Sequence, residues 1–269
     1  MKLGASVLVI TGYGVNCERE TASAFALAGA DTVDNVHFTD ILADNSIIDR
    51  YSIIAFIGGF SFGDHISAGK VFSAKIKYTV RSSFERFVQR GGLIIGICNG
   101  FQTLVKLGLL PAEKGVTFEQ TATLTENECG YYYDGWVRLK VNPDSPCVFT
   151  KGIDMMEVPV RHGEGRIFFK DEATFDAVKR QQQITVQYCD ANGGLVQDFP
   201  ANPNGSQMAI AGICDPTGRI FGLMPHPEAY INPYTHPNWA RSKEEGTLAE
   251  HGDGFAVFKN AVDYAKAQL

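Results

Sequence analysis

Continuous apolar runs alternate with glycine-bearing turns and helical patterns through the first 110 or so residues, and no other feature constrains the fold as tightly. Val7-Leu8-Val9-Ile10 runs into Thr11-Gly12-Tyr13-Gly14, and a helical pattern follows from about Glu18 to Ala28, closed by Gly29. Val33 to Phe38 reads as a second strand and Ile53 to Ile57 as a third, ending at Gly58-Gly59. A long helix is expected from about Ile66 to Gln89, stopping at Gly91-Gly92. Leu93 to Ile97 is the fourth strand, and its helix spans Asn99 to Leu107 before Gly108 and Pro111. Strands without polar alternation, separated by helices, specify a parallel sheet covered on both faces and built from right-handed crossovers. The expected fold class is α/β, with a mostly parallel, doubly wound sheet.

From about Thr117 the texture changes to short alternating segments with turn signals at Gly130, Asn142-Pro143, Asn192-Gly193-Gly194 and Asn202-Pro203-Asn204-Gly205. These predict additional antiparallel strands in the second half, extending the same core. Met208 to Ile213 and Arg219 to Met224 flank Asp215-Pro216-Thr217-Gly218, a hairpin signal. Asp253 to Leu269 reads as a closing amphipathic helix. No polar linker interrupts the pattern, so residues 1–269 are expected to form one domain.

In doubly wound sheets, ligands bind beyond the carboxyl ends of the strands. Gly12-Tyr13-Gly14, Gly58-Gly59-Phe60 and Cys98 all fall at such ends. The last lies in Leu93-Ile94-Ile95-Gly96-Ile97-Cys98-Asn99-Gly100-Phe101-Gln102, where an apolar run stops at a cysteine with glycine two residues to either side. That is the layout of a nucleophile elbow, a sharp strand-to-helix turn whose flanking glycines avoid collision with neighbouring backbone. A thiol at a helix N-terminus also feels the positive end of the macrodipole, which favours the thiolate. A buried cysteine ending a core strand would share part of this pattern.

A cysteine nucleophile needs a base, and the base needs an orienting group. Ile220-Phe221-Gly222-Leu223-Met224 ends in Pro225-His226-Pro227-Glu228. Residues two apart on extended backbone point the same way, so Glu228 could hold the His226 imidazole. An acyl transfer also requires oxyanion donors. The backbone N–H of Asn99 is one candidate, and the Gly59 turn supplies another.

Competing signals fall short. Gly63 to Val71 resembles a P-loop but is one residue too long and ends in Val71 where Ser or Thr is required. His226-Pro227-Glu228 lacks the following P-C-x-x-C of zinc deaminases, so no metal is expected. Cys17, at the start of the first helix beside Glu18, is a rival nucleophile without flanking glycines. Cys129, Cys147, Cys189 and Cys214 read as structural. The six cysteines contain no C-x-x-C pair, which suits a reducing cytoplasm rather than a disulfide scaffold. A net charge of −6 argues against nucleic acid as the main partner. No membrane span or signal peptide is expected, and the predicted location is cytoplasmic.

The elbow, the Met224-Pro225-His226-Pro227-Glu228 segment and their chain order resemble class I, triad-type glutamine amidotransferases. Gly58-Gly59-Phe60-Ser61-Phe62-Gly63-Asp64, Asn16-Cys17-Glu18-Arg19-Glu20, His162-Gly163-Glu164-Gly165-Arg166 and Asn202-Pro203-Asn204-Gly205-Ser206 make the likeness closest to the glutaminase subunits of phosphoribosylformylglycinamidine synthases. The resemblance implies a flavodoxin-like sheet, a Cys98 nucleophile, a His226 general base and acid, and a Glu228 that orients it. It implies that Gln102 contributes to the glutamine pocket. It also implies ammonia delivery to a separate synthetase subunit in purine biosynthesis, with a small accessory subunit as a further partner. No cofactor is expected in this chain, ATP and magnesium belonging to the synthetase. An independent cysteine hydrolase of the same fold, acting on another amide or a peptide, is the alternative. Two departures stand out: Arg161, where the family pattern has a small residue, and the segment Tyr230 to Arg241, which lengthens the chain.

Overall fold

A computed structural model describes residues 4–269. Residues 1–3, which the expected domain over 1–269 includes, lie outside the described residues. The strands are β1 (Ser6–Thr11), β2 (Thr32–His37), β3 (Ile53–Phe56), β4 (Leu93–Ile97), β5 (Ala122–Glu126), β6 (Tyr133–Val141), β7 (Met155–His162), β8 (Glu164–Phe169), β9 (Ile184–Cys189), β10 (Ile210–Cys214) and β11 (Ile220–Leu223). The helices are α1 (Glu18–Leu27), α2 (Phe38–Ala43), α3 (Lys70–Thr79), α4 (Arg81–Gln89), α5 (Asn99–Leu107), α6 (Glu172–Arg180), α7 (Trp239–Glu244) and α8 (Phe255–Gln268).

Among the described residues, nine strands form one sheet in the order β2-β1-β3-β4-β11-β10-β9-β6-β7. The first five pair in parallel and the rest antiparallel. The order 2-1-3-4 followed by a further parallel strand is flavodoxin-like. β1, β3, β4 and β11 are buried throughout or nearly so, as expected for strands covered on both faces. α1 packs on β1 and β2 and against α8, while α5 packs on β3, β4 and β11 and against α3. β11 therefore does two jobs: it closes the hairpin with β10 and adds a parallel neighbour to β4.

One expectation needs correction. The long helix from Ile66 to Gln89 is two helices, α3 and α4, broken at Val80, whose backbone leaves helical geometry at φ −127°. Its first residues are not helical, because Asp64, Ile66 and Gly69 adopt positive φ. That path carries Asp64 to Asn99, 2.8 Å from its Nδ2. The antiparallel strands expected in the second half are present, and two of them, β5 and β8, form a separate two-stranded sheet whose Ala122, Leu124 and Ile167 join the same hydrophobic core. The second half also holds α6, capped by the Asp171 side chain accepting from Thr174 N at 2.8 Å.

The segment after residue 229 folds onto the surface. Trp136 of β6 meets Tyr230 and His236 edge-on, with centroids 5.1 and 4.6 Å away. No helix among the described residues is long and apolar enough to cross a membrane.

Candidate active site

Cys98 stands between β4 and α5 with φ 52° and ψ −108°, a conformation that L-residues rarely adopt. Its neighbours explain why both flanking positions are glycine. A Cβ on Gly100 would lie 2.0 Å from the Phe56 carbonyl oxygen, and one on Gly96 would lie 2.6 Å from Leu104 Cδ1. Strand, turn and helix thus pass one another at backbone distance, and the thiol is pushed up at the sheet's carboxyl edge. Cys98 N donates to Leu223 O at 2.9 Å, continuing the β4–β11 ladder up to the nucleophile. The thiol itself lies 3.5 Å from the Arg161 carbonyl oxygen.

His226 follows β11 directly, and its backbone N–H donates to Pro159 O of β7 at 2.7 Å. The far edge of the sheet thereby returns to the carboxyl end of its middle. His226 Nδ1 is 2.5 Å from Glu228 Oε1, and both side chains are buried. Glu228 is carried round by the short 3-10 turn Pro227–Ala229. Burial works to lower the His226 pKa, but the Glu228 carboxylate, with Cys98 and Cys17, raises it well above the ordinary imidazole value.

Cys17 also reaches this imidazole, a placement that sequence reasoning missed. It precedes the first residue of α1 without a side-chain cap bond, is buried, and its thiol pKa is raised by burial first and by the Glu228 charge, rather than by the adjacent Glu18. Gly58 makes room for the meeting: a Cβ there would lie 2.8 Å from His226 Cε1 and 3.1 Å from Cys17 Sγ. The only sequence signal was that Cys17 and Gly58 both follow apolar strands of the parallel sheet. Donor atoms of Cys17, His226 and Glu228 lie within 4.8 Å of one another and could hold a metal ion. The 2.5 Å contact engages a Glu228 oxygen with the ring, which makes His226 and Glu228 a hydrogen-bonded pair with the two thiols beside it, and leaves the buried Nε2 without a partner among the described residues.

Gly59 has φ +126°, and a Cβ on it would lie 2.6 Å from Val15 Cα. The turns after β1 and β3 therefore abut, joined by Asn16 N donating to Gly58 O at 3.0 Å. Asn99 opens α5, where a backbone N–H has no partner within the helix. The Asn99 side chain donates to Asp64 Oδ1 at 2.8 Å and to Gln102 Oε1 at 3.3 Å. Gln102 in turn donates to Glu164 O at 2.5 Å. All three predicted binding residues thus gather around Cys98, and Cys17, Cys98, Gly59, Gln102 and His226 line one cleft. The P-loop-like stretch contributes packing: a Cβ on Gly69 would lie 2.7 Å from Thr103 N of α5.

Further polar and titratable groups that the sequence reading did not assign also line the cleft, among them Asp64, Arg161, His162 and Glu164. Burial raises the Asp64 carboxyl and lowers the Lys106 ammonium, whose Nζ lies 3.9 Å from Glu164 Oε2. His162 is buried with Nδ1 2.9 Å from Asn127 Oδ1, and burial pushes its pKa down to about 3. A thiol beside an imidazole held by a carboxylate, backbone donors at a helix start and a cleft shared by these groups suit nucleophilic acyl transfer.

The chain matches the CobB/CobQ-like glutamine amidotransferase domain over residues 4–265. It is 45% identical to phosphoribosylformylglycinamidine synthase subunit PurQ of Methanococcus maripaludis over 273 residues, 98% of each chain. The subunit of the same name from Dehalococcoides mccartyi is 45% identical over 259 residues, covering 96% of this chain and 97% of the other. Among solved structures, a chain of PurLQS from Thermotoga maritima superposes with a TM-score of 0.67 at 30% identity, covering 98% of this chain and 99% of that one.

Proposed function

This chain belongs to the CobB/CobQ-like glutamine amidotransferase family, and from that premise we propose that it is the glutaminase subunit of a phosphoribosylformylglycinamidine synthase. The observation that carries the reading is the pairing of β4 with β11, which sets Cys98 beside a His226 already oriented by Glu228. In this reading the His226 imidazole takes the Cys98 thiol proton as Sγ attacks the side-chain carboxamide carbon of glutamine, and the oxyanion is held by the N–H groups of Asn99 and the Gly59 turn. The C–N bond breaks as the His226 imidazolium protonates the departing nitrogen, leaving ammonia and a glutamyl thioester. His226 then takes a proton from water, the hydroxide adds to the thioester, and glutamate leaves with Cys98 restored. Glu228 keeps Nδ1 occupied throughout, and Gln102 shapes the pocket.

The ammonia passes to an ATP- and magnesium-dependent synthetase subunit, docked with a small accessory subunit. This chain binds neither cofactor, resides in the cytoplasm and acts as one domain over residues 1–269. Half-exposed aromatic rings near the cleft support a docking role. Phe60 and Tyr132 lie 6.3 Å apart, and Phe199 meets both Tyr131 and Tyr133 edge-on. Exposed aromatic groups of this kind are enriched at interfaces. The test is glutamine hydrolysis by the chain alone and with its co-purified synthetase. Weak activity alone, stimulation by the partner and loss of both in Cys98→Ala are expected. Full turnover without any partner would instead indicate an independent cysteine hydrolase.

A further inference from the structure

We propose that Arg161 holds the α-carboxylate of glutamine and so selects the free amino acid over carboxamides lacking that charge; the inference rests on the glutaminase reading above. Arg161 lies near the end of β7, where its carbonyl oxygen is 3.5 Å from Cys98 Sγ. Its residue therefore starts beside the nucleophile, and it lines the same cleft as Cys98, Gln102 and His226. The guanidinium Nε is buried and has no hydrogen-bond partner among the described residues. Its cross-strand neighbour is Asp134, yet no ion pair joins the two.

A guanidinium keeps its charge at every pH a protein meets, and a buried N–H without an acceptor is costly. Here the unpartnered N–H belongs to a residue that lines the cleft. Glutamine carries its carboxylate a short aliphatic chain away from the carbon that Sγ attacks, within an arginine's reach. The planar fork of a guanidinium matches a carboxylate in two parallel hydrogen bonds. The cleft also carries the carboxylates of Asp64 and Glu164, so it offers both signs of charge to a zwitterionic amino acid. Glu164 is already engaged by Lys106 and Ala68 N, and Asp64 by Asn99, whereas Arg161 is the charged group left open.

The test compares wild type, Arg161→Ala and Arg161→Lys, each as the full chain with its co-purified synthetase. The substrates are glutamine and an analogue whose α-carboxylate is replaced by a neutral amide. Arg161→Ala should raise KM for glutamine about ten- to hundredfold while leaving kcat nearly unchanged. Its preference for glutamine over the neutral analogue should collapse, and Arg161→Lys should restore part of it. Alkylation of Cys98 by iodoacetamide, small and uncharged, should proceed at the wild-type rate. An unchanged KM, or equal losses on both substrates, overturns the assignment. Loss of kcat together with iodoacetamide reactivity overturns it as well, marking Arg161 as structural. A wild-type complex that does not hydrolyse glutamine overturns the glutaminase reading itself, and with it this one.

Discussion

Glu228 Oε1 lies 2.5 Å from His226 Nδ1, with both side chains shut away from solvent. Burial alone would strip the imidazole of its proton, and it is chiefly the carboxylate that reverses this. Glu228→Gln keeps the shape and removes the charge. The turnover number should fall on the order of 10³–10⁴-fold, as when the orienting carboxylate of other triads is neutralised. The His226 pKa should drop, so the alkaline limb of the pH–rate profile should move to lower pH. A profile that stays in place would show that the charge holding the imidazolium comes from elsewhere.

The two thiols around this ring should separate cleanly. Cys98→Ala should lose at least about 10³-fold in glutamine hydrolysis, the scale on which removal of a nucleophile is felt. Cys17→Ala should stay within about tenfold, or 1.4 kcal/mol of barrier, because burial keeps that thiol protonated. Mass spectrometry after treatment with an electrophilic glutamine analogue should find the adduct on Cys98 alone. An adduct on Cys17 would reverse the assignment.

His162 and His226 should shape pH stability in opposite senses. The folded His162 pKa is pushed down to about 3, against an ordinary 6.5. Between those values the unfolded chain holds the extra proton, so stability falls as pH is lowered through this window. For His226 the folded pKa is raised, so its contribution is fully present below the unfolded value and is lost as pH rises through the folded one. Urea melts from pH 7 to 4 should show a shallower decline for His162→Gln than for wild type, by up to about one proton equivalent. Parallel slopes would rule His162 out as the source.

The elbow glycines should resist any side chain. In Gly100→Ala the new methyl would meet the Phe56 carbonyl at 2.0 Å, backbone that cannot swing aside. Overpacking of this kind costs about 1–3 kcal/mol or more. For a chain of this size each kcal/mol lowers Tm by roughly 2–4 °C. Calorimetry should register that loss, and α5 should shift enough to disable Cys98. A variant with native Tm and native activity would mean that strand and helix are less closely apposed.

Much of this was legible in the sequence because the relevant signals are local. Leu93–Ile97 and Asn99–Leu107 fall where the apolar run and the glycines put them, and His226 and Glu228 are two residues apart. What escaped depends on distant chain. Cys17 meets His226 only because β1 and β3 are neighbours and Gly58 lacks a Cβ. Asp64 and Glu164 reach the cleft from a non-helical detour and from the start of β8, neither of which has a periodic signature. The break at Val80 was hidden because the helical pattern of Lys70 to Gln89 carries no glycine or proline to announce it.

The shared ladder of β4 and β11 has one more implication. Nucleophile and base ride on adjacent rails, about 4.8 Å apart, clamped by main-chain bonds as far as Cys98 N and Leu223 O. No hinge separates them, so idling cannot be achieved by prising the two apart. If the chain idles without its partner, the control must act on softer ground, the cradle of abutting glycine loops at Gly14 and Gly59. A partner arriving over Phe60 would press on that cradle first.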